Sequence, residues 1–250
     1  MYHLRTHVAA DGARADVAFT DRWGGVSAPP FDALNLALAS ADDEGAVAEN
    51  HRLLLADFAP GAQLADLVQV HGRAVDVAVP DPGRSRPEAD GVVTTSDEVV
   101  LMVRAADCVP VVLVDPGAGV VGAAHAGRRG VQLDVVGATL EAMRERGAED
   151  VTAFVGPHVC GACYEVPADL RDEVASVEPA TRSTTSWGTP SLDLGAGVVA
   201  QLRRGGARVV TDAATCTRTC PDLYSHRRDG AASGRHAGLV RLRPGARGAA

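Results

Sequence analysis

The chain has no lysine. Every basic residue other than histidine is arginine, and 24 arginines face 32 aspartates and glutamates for a formal charge of −8. Such an acidic balance argues against a general nucleic-acid binder, although a local basic pocket is compatible with it. Arginine-only usage beside abundant Gly, Ala and Pro points to compositional bias, so a lone arginine is weak evidence of function and a cluster is better evidence. With no lysine there is no G-x-x-x-x-G-K phosphate loop. Long apolar runs are missing too. The longest are broken by Asp, Arg or Pro short of membrane-spanning length, and Met1-Tyr2-His3-Leu4-Arg5-Thr6-His7 lacks the apolar core of a secretory signal. These absences predict a cytoplasmic protein with no nucleic-acid or membrane partner. Without a secretory route, Cys108, Cys160, Cys163, Cys216 and Cys220 are expected as free thiols or metal ligands in place of a disulfide scaffold.

What is present is enough for a sizeable core: 250 residues, 46% of them hydrophobic. No repeat or clear linker divides the chain, and residues 1–250 read as one domain. Asp42 or Asp43 is placed to cap a helix reaching about Phe58, with Val47, Leu54 and Leu55 inward and Pro60-Gly61 after its end. Strands are expected over Ala15–Asp21, Leu64–His71, Val75–Val79, Val99–Ala105, Val151–Val155 and Gly238–Leu242. Val109–Val114, the turn Asp115-Pro116-Gly117 and Val120–Ala124 form a hairpin that brings Cys108 and His125 to one end. Further helices are expected over Val131–Arg146, Ala168–Val177 and Leu194–Arg204, and a frayed tail after Pro244. Strands outnumber helices and several neighbours look antiparallel. A mixed α/β sandwich therefore fits better than a doubly wound parallel sheet.

The block from Asp107 to Gly130, read with His71, has an active-site composition. Imidazole and thiolate suit zinc, and three protein ligands leave a fourth position open, so His71, Cys108 and His125 are candidate metal ligands. Copper suits the same donors. A metal-free Cys–His pair would use the same residues, and a buried thiol beside two unrelated histidines is the plain alternative. Cys160-x-x-Cys163 with Cys216-x-x-x-Cys220 is compatible with a four-thiolate zinc. The spacing is not diagnostic, and small, partly buried thiols are the expectation there.

His125-Ala126-Gly127-Arg128-Arg129-Gly130 precedes a helix, where free N–H groups favour an anion. Ser225-His226-Arg227-Arg228-Asp229-Gly230 and Gly234-Arg235 add further arginines, whose forks suit phosphate. Arg129 and Arg228 read either as an anion cradle or as solvated turns. Asn35, Asp90, Asp107 and Glu165 are the remaining polar candidates. Asp90 either closes a turn or shuttles a proton, and Asp107 either orients a ligand, hydrogen-bonds a backbone loop or shuttles a proton. The H-x-E and P-C-x-x-C signature of zinc deaminases is absent, so any deamination needs another site design.

The motifs follow one order: Asn35-Leu36, Gln69-Val70-His71-Gly72, Ala89-Asp90-Gly91, Ala106-Asp107-Cys108-Val109-Pro110, Ala124-His125-Ala126-Gly127 with Arg129-Gly130, then Gly156-Pro157, Tyr164-Glu165-Val166 and Tyr224-Ser225-x-Arg227-Arg228-Asp229-Gly230. On these, nearly the whole chain resembles the YfiH-like family, the laccase-domain purine nucleoside phosphorylases and polyphenol oxidases. The resemblance implies a single α/β/β/α sandwich with mixed, largely antiparallel sheets, and zinc, or copper, on His71, Cys108 and His125. It implies phosphorolysis of adenosine, inosine, guanosine and S-methyl-5'-thioadenosine with inorganic phosphate, adenosine deamination as a side activity, and a monomer or homodimer. His71, Cys108, His125 and Asp107 would be catalytic, and Asn35, Asp90, Arg129 and Arg228 would hold substrate and phosphate. Copper-dependent polyphenol oxidation is the alternative, although the paired His-x-His motifs of multicopper clusters are absent. Arg128 stands where the family usually has tryptophan, and His226 where an aromatic is common.

Overall fold

The computed structural model describes residues 1–10 and 12–243, so the expectation for the tail after Pro244 lies outside the described residues. In chain order the elements are β1 (Tyr2–Ala10), β2 (Ala13–Thr20), α1 (Glu44–Phe58), β3 (Gln63–Ala65), β4 (Val75–Val77), β5 (Gly91–Thr94), β6 (Val99–Ala105), β7 (Val109–Asp115) and β8 (Val120–Ala126). They continue as α2 (Arg128–Gln132), α3 (Val135–Arg144), β9 (Thr152–Val155), α4 (Ala168–Val177), β10 (Arg182–Thr184), β11 (Pro190–Leu192), α5 (Leu194–Arg204), β12 (Arg208–Val210), α6 (His226–Asp229) and β13 (His236–Arg243).

Two mixed sheets stack face to face, one ordered β1-β2-β13-β6-β3 and the other β12-β9-β7-β8-β5-β4. Phe19, Leu101, Val103, Val112, Val114, Val121 and Val240 fill the space between them. Leu54 and Phe58 of α1 cover the outer face of the first sheet against Met102 and Leu239. Val135, Leu140 and Met143 of α3, with Val198 and Leu202 of α5, cover the second against Val111 and Leu113. The result is the expected α/β/β/α sandwich. With both faces of each sheet covered, β6, β7 and β8 are buried along their full lengths, which is why they read as near-continuous apolar runs.

The expected hairpin of β7 and β8 is antiparallel, with Val109 opposite Ala126 and Pro110 opposite His125. Asp43 caps α1 by accepting from the Ala46 amide, and Asp193 caps α5 by accepting from the Ala196 amide.

Three local expectations change. The helix expected over Val131–Arg146 is two helices, because Asp134 turns left-handed (φ 57°) and its carboxylate caps α3 at the Gly137 amide. The strand expected over Leu64–His71 ends at Ala65. Beyond it the Gln69 side chain replaces the ladder, its Nε2 donating to the Arg104 carbonyl and its Oε1 accepting from the Arg104 amide. A strand not expected at all, β1, pairs with β2 from Tyr2 to Ala10. Arg5 and His7 face outward, and Thr6 sits between Leu4 and Val8 on the inward face, so no apolar alternation shows.

Candidate active site

Three separate segments deliver His71, Cys108 and His125. Cys108 immediately precedes β7, His125 lies near the end of β8, and His71 sits in the loop between β3 and β4. Their ligand atoms all lie within 4.8 Å of one another. The Cys108 Sγ is 3.7 Å from His71 Nε2, and the two imidazoles meet edge to face with centroids 4.9 Å apart.

One carboxylate organises both imidazoles. Asp90 is fully buried; its Oδ1 accepts from His125 Nδ1 at 2.8 Å and from the His71 amide at 3.0 Å. Its Oδ2 accepts from the Val70 and Gly72 amides. Three consecutive backbone donors thus fix the left-handed His71 (φ 58°), while the bond to Nδ1 leaves His125 Nε2 to face the thiol. Burial pushes the Asp90 carboxyl up, but the His125 hydrogen bond, the Gly72 amide and the imidazolium charge outweigh it and hold the group below the ordinary carboxylate range.

The thiol and imidazole stabilise each other's charged forms. Burial raises Cys108, yet the charge and hydrogen bond of His125, then those of His71, bring it down to about 6. Burial lowers His125, yet Cys108 and Asp90 raise it to about 9. Gly127 makes this approach feasible: a Cβ there would lie 2.5 Å from His71 Cδ2 and 3.1 Å from Cys108 Sγ.

The donor set fits a metal ion. It offers one thiolate and two imidazoles within bonding reach of a common centre, one imidazole oriented through its far nitrogen by a carboxylate. The three residues open into a cavity of about 610 Å³, whose lining includes Leu38 and Leu67 as apolar groups and Arg104, His226 and Arg235 as polar ones.

The other expected site residues part company here. Asn35 is buried with every hydrogen-bonding position committed. Its Nδ2 donates to Ser40 and Asp42, and its Oδ1 accepts from the Ala37 and Arg235 amides. It holds the cavity wall and is not available to substrate. Asp90, for the same reason, orients the imidazoles and does not bind substrate.

Arg228, expected to hold phosphate, spends all five N–H donors internally, on Asp229 and on the carbonyls of Thr217, Cys220 and Leu223. It clamps its own loop. Arg129 is exposed on α2 and does not line the cavity. Asp107 (φ 89°) accepts from the Thr217 hydroxyl and the Arg227 amide, so it anchors the loop before Cys108, and the proton-shuttle reading loses its support.

Two residues outside the expected site set stand near the thiol: Arg235, read from the sequence only as one of several arginines suited to phosphate, and Tyr164. Arg235 uses Nη1 on the Ser233 and Gly234 carbonyls, and among the described residues its Nε and Nη2 have no hydrogen-bond partner. Burial lowers its pKa, and the charges of Cys108 and Asp107 oppose that, which places its guanidinium in their field. Tyr164, raised first by burial and then by Cys108, carries the Arg227 guanidinium 4.8 Å over its ring. Arg128 turns along its own helix to Gln132 Oε1.

Residues 16–243 match the family model described as multi-copper polyphenol oxidoreductase laccase. The chain is 49% identical over 234 residues to a purine nucleoside phosphorylase of Streptomyces coelicolor, covering 91% of this chain and 96% of that one. It is 46% identical over 224 residues to a purine nucleoside phosphorylase of Mycobacterium tuberculosis, covering 88% and 89%. Among solved structures it resembles a Neisseria meningitidis protein (TM-score 0.83, 30% identity, 95% of this chain and 98% of that one). It also resembles YfiH of Bacillus licheniformis (TM-score 0.83, 26% identity, 92% and 93%).

Proposed function

This chain belongs to the YfiH-like, laccase-domain family, and from that premise we propose that it is a purine nucleoside phosphorylase working in the cavity at His71, Cys108 and His125. The observation that carries the reading is the pairing of this donor trio with the Arg235 guanidinium, whose Nε and Nη2 have no partner among the described residues, in one cavity of nucleoside size, in a chain with relatives named for that activity. The proposed substrates are adenosine, inosine, guanosine and S-methyl-5'-thioadenosine with inorganic phosphate, and adenosine deamination is proposed as a side activity of the same cavity. Residues 1–250 are taken to act as one domain, as a monomer or homodimer in the cytoplasm.

Phosphorolysis joins a phosphate oxygen to the ribose anomeric carbon as the purine leaves, so the site needs an anion holder and a proton for the departing base. Arg235 is the proposed anion holder, through Nε and Nη2. His226, at the cavity wall and outside the ligand trio, is the proposed proton donor, which frees the two ligand imidazoles from that duty. Asn35 positions Arg235 through its backbone amide, and Asp90 positions the trio. Zinc is the proposed occupant and copper the alternative; a bound divalent ion supplies Lewis-acid polarisation of a substrate oxygen. The apolar lining groups Leu38 and Leu67 suit a purine face.

Metal-defined protein incubated with inosine should release hypoxanthine and ribose-1-phosphate in equal amounts and only when phosphate is present. Release without phosphate, or no release, overturns the phosphorylase reading. Inosine formed from adenosine without phosphate tests the deaminase. The family model's description favours one further arm: turnover of a phenol under air by copper-loaded protein, with nucleosides inert, would support oxidation instead.

A further inference from the structure

We propose that Cys160, Cys163 and Cys216 form a second metal site, separate from the first, that takes a thiophilic cation of the zinc class and braces the loop carrying Cys108. All five cysteines are free thiols, and the sulfurs of these three lie within 4.8 Å of one another. Tetrahedral zinc with bonds of about 2.3 Å spaces its thiolates about 3.8 Å apart, so the sulfurs reach that spacing by small side-chain adjustments. Cys220, which shared the original sequence pattern, is not in the group.

The backbone around the sulfurs is built for this convergence. Cys160 and Cys163 sit on one tight turn, where the Cys163 and Tyr164 amides both donate to the Cys160 carbonyl. Gly161 lets that turn press against the cap of α5, since a Cβ there would lie 2.8 Å from the Asp193 Cβ. The second segment is stitched alongside: the His158 amide donates to the Thr215 carbonyl and the Thr217 amide to the His158 carbonyl. The Cys160 amide points at Cys216 Sγ (3.5 Å), an N–H to sulfur contact that favours a thiolate. Three thiolates on a divalent ion leave one net negative charge. Arg218, stacked 4.9 Å over Trp187 and donating to the Cys163 carbonyl, places a guanidinium beside it. Cys160 and Cys216 are half-buried, so an ion has a path in from solvent.

Both segments also hold the first site. The Val159 amide donates to the Asp107 carbonyl, and Thr217, next to Cys216, donates its hydroxyl to Asp107 Oδ1 at 2.6 Å. An ion on the three thiolates would cross-link the two segments that fix Asp107, the neighbour of Cys108. This inference is independent of the purine reading.

The test uses full-length protein purified anaerobically under reducing conditions, with Co²⁺ as the probe. In the C108A variant the first site has no thiolate, so thiolate-to-cobalt charge-transfer absorption reports the second site alone. C108A is expected to bind cobalt with that absorption and to release it to a chelator at one equivalent. C108A/C163S/C216S is expected to lose the absorption while keeping the far-ultraviolet circular dichroism of C108A. Because C108A leaves all three thiols intact, its reading does not depend on the folding of the triple variant. Absence of the absorption in C108A overturns the proposal. So does finding Cys160 and Cys216 joined as a disulfide, two hydrogen masses lighter, in metal-free protein prepared this way.

Discussion

Replacing Asp90 with asparagine should cost more than any other isosteric change at the site. The carboxylate accepts four hydrogen bonds, two on each oxygen, from three backbone amides and His125 Nδ1, and it is fully buried. Asparagine keeps one accepting oxygen and presents an NH₂ in place of the other. Whichever way it turns, two of the four donors lose their acceptor. Each stranded donor costs about 1–3 kcal/mol, so Asp90→Asn should lower metal-free stability by about 2–6 kcal/mol. The same change releases the orientation of both imidazoles and should weaken metal binding about 10–100-fold.

The pH dependence gives a second reading of the same substitution. The Asp90 pKa is depressed, so its contribution is complete above the unfolded value near 3.9 and fades as pH falls through the lower folded one. His125 is raised to about 9, so its contribution is complete below about 6.5 and fades as pH rises through about 9. The gap between wild type and Asp90→Asn in urea unfolding should therefore be widest between about pH 5 and about pH 6.5 and shrink toward either extreme. A gap under about 0.5 kcal/mol at neutral pH, with unchanged metal affinity in a competition titration, would refute the role assigned to Asp90.

In metal-free protein Cys108 should ionise with a midpoint near 6, read by thiolate absorbance or by the pH dependence of alkylation; a midpoint at the ordinary thiol value would break the proposed Cys108–His125 pairing. Gly127→Ala should cost about 1–3 kcal/mol and reduce metal capacity, because its Cβ would meet His71 and Cys108; unfolding and metal analysis check both, and wild-type values would show that the loop yields freely. Arg235→Gln should raise KM for phosphate by about tenfold or more, equivalent to about 1.4 kcal/mol, while leaving the melting temperature close to wild type. Arg228→Gln should do the reverse, lowering stability by about 1–3 kcal/mol with little change in KM for phosphate; equal effects of the two on KM would return Arg228 to the site.

The elements that were legible in the sequence are those whose signals are local. Asp43 before an apolar period, Asp115-Pro116-Gly117 between two apolar runs and Gly205-Gly206 after α5 are decided by neighbours in the chain, and α1, the β7–β8 hairpin and α5 follow them. The hairpin alone places Cys108 and His125 together. Arg235 was legible only as one more arginine suited to phosphate, because its place depends on register between distant strands: His236 of β13 pairs with Ala105 of β6, which sets Arg235 beside the Asp107 loop. Asn35, Asp90 and Arg228 illustrate a different limit. Their residue types suit ligand binding, and the sequence shows that capacity. Whether it is already spent depends on partners such as the Arg235 amide, 200 residues from Asn35. The three-thiol group shows the converse. The sequence sets Cys216 and Cys220 equally beside Cys160 and Cys163, and only the pairing of the His158 and Cys216 segments selects Cys216 as the third sulfur.

The site has a common construction that explains why carboxylates, and not the ligands themselves, carry so much of its architecture. Both loop-borne candidate ligands have left-handed backbone at or beside them, at non-glycine residues: His71 at φ 58° and Asp107, next to Cys108, at φ 89°. Such conformations cost about 1–3 kcal/mol each and persist only where the surroundings over-determine them. At His71 the determining group is Asp90, gripping the amides of residues 70, 71 and 72. At Asp107 it is the residue's own carboxylate, tied to Thr217 and to the Arg227 amide. The left-handed turns bring a thiol and an imidazole from two different loops toward His125, the third candidate ligand, on β8. Each turn is held by a buried or nearly buried carboxylate. The strain is thus offset beside the donors and not by them, which leaves the sulfur and ring nitrogens free to face a common centre.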